Sequence, residues 1–147
     1  MRPELPESEL ATRVQHRMRR STVIEGADHT PYETIVHEFA LRVRVADRKT
    51  SLSQLRHILE QIERGHATVR VVPTDQDNFA GADASMMHMG GPLPQLDTVL
   101  RDFPTGTMFI DAEAQLRGLQ TLFRKVEKMS LSPTDSRDFI HHMTKEL

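Results

Sequence analysis

LSQLRHILEQIER (Leu52–Arg64), followed after Gly65 and His66 by ATVRVVP (Ala67–Pro73), is the stretch on which the fold class turns. In its first part Leu52, Leu55, Leu59 and Ile62 recur at helical spacing and form one apolar stripe, with Ser51 and Gln54 matching a capping box at the start. Gly65 suits the far end, because glycine enters the left-handed conformation that closes helices without a steric cost. In the second part β-branched residues crowd together until Pro73, which cannot donate to a ladder, so a strand is predicted.

Upstream, Glu33 to Arg44 alternates and is rich in β-branched residues around Ile35, Val36, Phe39, Leu41, Val43 and Val45, which predicts a strand with a bulge or bend. From Ser8, Leu10, Val14 and Met18 recur at helical spacing, while Arg13, Arg17, Arg19 and Arg20 load the later half, where cations suit the helix dipole. The stretch from Gly26 to Pro31 ends that helix, and residues 1–7, with two prolines, read as a flexible lead-in.

Downstream, the polar segment Thr74 to Asp83 reads as a loop, and Ser85 to Met89 as a short strand. Thr98 to Phe103 and Thr107 to Ile110 flank Pro104-Thr105-Gly106, which marks a hairpin. Leu116, Leu119, Phe123 and Val126 share one face of a helix after Asp111. Ser132-Pro133-Thr134-Asp135 opens a last helix whose buried side is Phe139, Ile140 and Met143. This order predicts an α+β fold, a small antiparallel or mixed sheet of about 4–5 strands flanked by about four helices. At 147 residues the chain suits one domain, placed at residues 8–147.

Composition excludes several function classes. Lys and Arg total 19 against 21 for Asp and Glu, so the net charge of -2 carries no footprint of nucleic-acid binding. With no cysteine there is no disulfide, thiol nucleophile or thiolate metal site. No apolar run approaches the roughly 18 residues of a membrane span, and the N-terminus lacks an apolar signal core, so the chain reads as cytoplasmic and free of the membrane.

Three blocks then carry a resemblance: Val36-His-Glu-Phe-Ala-Leu-Arg42, Gln54-Leu-Arg-His-Ile-Leu59 and Val69-Arg-Val-Val-Pro73. Together with Arg17-Met-Arg-Arg20 and the Leu131-Ser-Pro-Thr-Asp-Ser136 helix start, they are similar to the C-terminal, non-DNA-binding domain of WhiJ-like actinobacterial regulators of the Xre helix-turn-helix type. The similarity spans about residues 13–143, and the helix-turn-helix has no counterpart here. His37 stands where that family often has an acidic residue, and Asp102 where its hairpin strand usually has glutamate. The resemblance implies a regulator-derived domain that binds a small-molecule ligand or a small protein partner in an apolar pocket.

The candidate chemistry centres on the strands. Neighbours on a strand face opposite sides, so one of His37 and Glu38 is expected to point inward. A carboxylate there needs Arg42 or Arg70 to offset its desolvation, and it serves either as a structural ion pair or as a ligand contact. Met87 and Met108, beside His88, have the flexible thioethers that shape an adaptable apolar lining. The ligand-binding set is therefore Arg42, Arg70, Met87, His88 and Met108. His37, Glu38 and Asp102 become catalytic only if the domain is instead a cofactor-independent cyclase or isomerase working by proton transfer. The eight histidines show no H-E-x-x-H spacing, so no metal or other cofactor is expected, while a homodimer stays open.

Overall fold

The computed structural model describes residues 6–25, 30–77, 79, 81, 85–103 and 106–147. Among them the elements run α1 (Glu7–Glu25), β1 (Glu33–His37), α2 (Glu38–Arg42), α3 (Arg48–Glu63), β2 (Thr68–Val72), β3 (Met87–Met89), a 3-10 turn (Pro94–Leu96), β4 (Thr98–Phe103), β5 (Gly106–Ile110), α4 (Glu113–Met129) and α5 (Pro133–Glu146). The fold is α+β, as its order of helical and alternating segments implies. Its strands make two sheets: β1 and β2 pair in parallel, and β3, β4 and β5 form an antiparallel sheet in that order. Pro104 and Thr105 of the expected hairpin turn, and part of the Thr74 to Asp83 loop, lie outside the described residues.

Two expectations are corrected. The strand drawn from Glu33 to Arg44 stops at His37, and the chain turns at once into α2. The cause is local: Phe39 N–H donates to His37 Nδ1 at 3.2 Å, and Arg42 pairs with Glu38 one helical turn away. α3 also begins a turn before the predicted Leu52. Asp47 is its N-cap, with Oδ1 accepting from Thr50 N–H at 2.7 Å, so Ser51 lies inside the helix and the Ser51/Gln54 box is unused. That hydrogen bond holds the Asp47 carboxyl below its usual range. The C-terminal reading stands, since Gly65 has φ +74° and donates its N–H to Ile62 O at 3.0 Å.

The chain divides into two compact units, and the division runs through both β1 and β2. The first comprises residues 1–34, 43–69 and 133–147. In it α3 packs on α5, and Leu55, Leu59, Ile140 and Met143 of these helices are buried, as is Val69 of β2. Each fully buried side chain of this kind stabilises the unit by about 1.5–3 kcal/mol. Buried Gln61 is not stranded among them, because its Oε1 lies 3.0 Å from His66 Nδ1.

The second unit comprises residues 35–42 and 70–132, with Val71, Val72, Val99 and Leu116 at its core. Leu131 N–H donates to Val71 O at 2.8 Å, and Arg70 Nη1 donates to Leu131 O at 3.2 Å, so the end of β2 is tied to the chain leaving α4. Glu38 and Asp97 are buried polar residues of this unit.

Candidate functional site

All eight residues expected to form the site belong to the second unit. The structure draws them into separate groups. Glu38 starts α2 with only 7% of its surface exposed, and both its oxygens are engaged. Oε1 receives the Arg42 guanidinium; Oε2 accepts from Thr74 N–H at 2.8 Å and Thr74 Oγ1 at 3.0 Å. Burial works against its charge, but Arg42 and the two Thr74 donors outweigh that, so the carboxyl is held below its ordinary value. A carboxylate so held is a poor proton acceptor at neutral pH and a good clamp between α2 and the segment after β2. His37, just outside the helix, sets its ring 4.7 Å from that of Phe79.

Arg70, the other cation considered for Glu38, sits instead 3.8 Å from Glu127 Oε1 and is 29% exposed. Its reach toward α4 follows from Leu131 O, which holds the guanidinium there.

The antiparallel sheet fixes the remaining four by its register. Met87 pairs with Leu100 and Leu100 with Phe109, giving one cross-strand row. His88, Val99 and Ile110 form the row on one side of it and Arg101 with Met108 the row on the other, both on the opposite face of the sheet. Arg101 stacks on Phe103, the guanidinium carbon 5.2 Å from the ring centroid. Asp102 is exposed and accepts from Thr107 Oγ1 at 2.7 Å across the hairpin.

Besides Thr74, sequence reading missed Asp97. Asp97, 9% exposed, places Oδ2 3.1 Å from His88 Nε2, while its Oδ1 accepts Gly91 N–H at 3.2 Å. The β3–β4 register continued one step sets Asp97 against Gly90, where a Cβ would lie 3.4 Å from Asp97 Oδ1. The glycine therefore leaves room for the carboxylate beside the imidazole. The signal was the Gly90-Gly91 pair ahead of Asp97, but it becomes readable only with the register known.

Large apolar side chains of this sheet face solvent: Phe109 is 65% exposed, Met108 52%, and Phe103 and Met89 about two-fifths. Leu93 and Leu96, around the 3-10 turn, are exposed too. A recess of about 270 Å³ lies elsewhere, in the first unit between α3 and α5, lined by Leu59, Glu63, Arg137, Asp138 and His141. None of the sequence-derived site residues lines it.

The structure thus defines a small α+β protein whose buried carboxylates are engaged by neighbouring donors and whose antiparallel sheet carries aromatic and thioether side chains outward. The chain belongs to the family described as "Domain of unknown function (DUF5753)", whose model matches residues 1–142. No curated protein and no solved structure matches it. No described helix is long and apolar enough to cross a membrane.

Proposed function

We propose that the chain is a recognition domain that binds a small protein partner at the antiparallel sheet, through the outer edge of β5. The observation that carries this reading is the exposure of Phe103, Met108 and Phe109 on and beside an edge strand. An edge strand offers backbone N–H and C=O groups to an added strand, and alternate side chains supply the specificity. The sequence resemblance to the sensory or partner-binding half of WhiJ-like regulators is compatible with this reading, in which a strand-forming partner segment takes the place of an enclosed metabolite.

Selection of a random displayed peptide library on the full chain tests it. Enriched peptides should alternate apolar residues, and their binding should slow amide exchange at residues 106–110. Protection confined to other segments, or no enrichment with a metabolite screen raising the melting temperature instead, rejects the sheet-edge partner in favour of a small ligand.

One observation favours a second reading, the cofactor-independent enzyme. A buried Asp97 orients the half-exposed imidazole of His88, the arrangement that readies a histidine for proton transfer. Under that reading the proton carrier is His88 rather than Glu38. Turnover of any substrate found for the protein should then fall in His88→Gln while peptide binding at β5 is retained.

A further inference from the structure

A second exposed apolar surface belongs to the first unit, on α1. From Glu7 to Arg20 every side chain is exposed, with Leu10 at 51%, Val14 at 52% and Met18 at 66%. A helix of 19 residues gains little from propensity alone and owes its stability to an apolar face laid against another surface. Here that face has nothing over it among the described residues.

We propose that α1 is a self-association surface that pairs, antiparallel, with α1 of a second copy of this chain. Two features of the sequence on this helix select that occupant. Leu10 and Met18 each lie four residues from Val14, so a twofold axis at Val14 sets Leu10 of each copy on Met18 of the other and Val14 on itself. Charge is also divided along the helix. Glu7 and Glu9 occupy the first turn, whereas Arg17, Arg19 and Arg20 follow Val14. Of these charges Glu7 and Arg17 flank the apolar stripe, whereas Glu9, Arg19 and Arg20 lie toward the far side of the helix; antiparallel pairing brings Glu7 of one copy toward Arg17 of the other, and parallel pairing would set Arg17 against Arg17. Arg13 is engaged by Glu9 within its own helix at 2.7 Å, while Arg17 and Arg19 have no carboxylate partner among the described residues. The opposed helix dipoles favour the same orientation.

The natural absence of cysteine makes the geometry directly testable in the full chain. Sedimentation equilibrium should show a monomer–dimer equilibrium whose dissociation constant rises at least about tenfold in Met18→Glu and several-fold in high salt. With a short thiol crosslinker, Val14→Cys should form covalent dimers. A mixture of Leu10→Cys and Met18→Cys chains should crosslink to each other far better than either does to itself. These variants keep the stripe apolar, and circular dichroism confirms their helix content. Leu10→Cys crosslinking efficiently to itself would overturn the antiparallel arrangement. A monomer at all concentrations with no crosslinking would overturn the proposal, as would a monomer whose α1 binds vesicles of phosphatidylserine and phosphatidylcholine. Peptide binding at β5 is unaffected by any of these results.

Discussion

The α3–α5 pair and the β3–β5 sheet handle their large apolar side chains in opposite ways. Between α3 and α5, Leu55, Leu59, Ile140 and Met143 are withdrawn from water and the polar groups among them are satisfied. On the sheet, Met89, Phe103, Met108 and Phe109 remain in water while the carboxylates of its unit, Glu38 and Asp97, are buried. The first arrangement is that of a core, in which every apolar atom removed from solvent lowers the free energy. The second stabilises its own unit little and is suited to a surface completed by something else.

The sharpest way to break this contrast is to truncate both sides of it. Ile140→Ala, at a fully buried position, should cost about 2–5 kcal/mol in urea unfolding, because the lost contacts leave a cavity. Next is the polar clamp. Glu38→Ala should cost about 1–3 kcal/mol, since Thr74 N–H loses its acceptor in a partly buried place, while half-exposed Arg42 is rehydrated.

The pH dependence of that clamp has a definite sign. The folded carboxyl titrates below its ordinary value of 4.5, so the clamp's contribution is complete above about pH 4.5 and is lost as pH falls through the lower folded value. Acid titration of stability should therefore show a steeper decline in the wild type than in Glu38→Gln. Equal slopes would mean that the carboxylate is not held as described.

Smaller again is Gly65→Ala, which should cost on the order of 1 kcal/mol because alanine resists φ +74°, although open space surrounds the missing Cβ. At the bottom of the scale, Phe109→Ala should change stability by no more than about 0.5 kcal/mol while abolishing peptide binding at β5. A large loss of stability there would place Phe109 in a core and dissolve the contrast.

Much of the fold was legible because periodicity is a local property. Leu55 and Leu59 on one helix, Val69 and Val71 on one strand, and Pro133 at the start of α5 announce themselves within a few residues. Glu33 to Arg44 misled because Ile35, Phe39, Leu41 and Val43 keep a two-residue apolar alternation through residues 38–42, where a Glu38–Arg42 pair stabilises a helical turn over further strand. The candidate site was half legible. Glu38 with Arg42 was readable as an ion pair from charge and spacing, whereas Thr74 lies 36 residues away and Asp97 depends on the β3–β4 register.

The amino-acid sequence by itself determined the α+β class, most of the elements, the lack of thiol chemistry and the apolar stripes on α1, α3, α4 and α5. Only the tertiary structure decided which stripes are covered, that the strands divide into two sheets, and which partner each buried carboxylate takes. The physical reason is one of range. Side-chain periodicity and capping act over a turn or two of chain, but burial and charge pairing depend on residues brought together from distant positions, which no local pattern encodes.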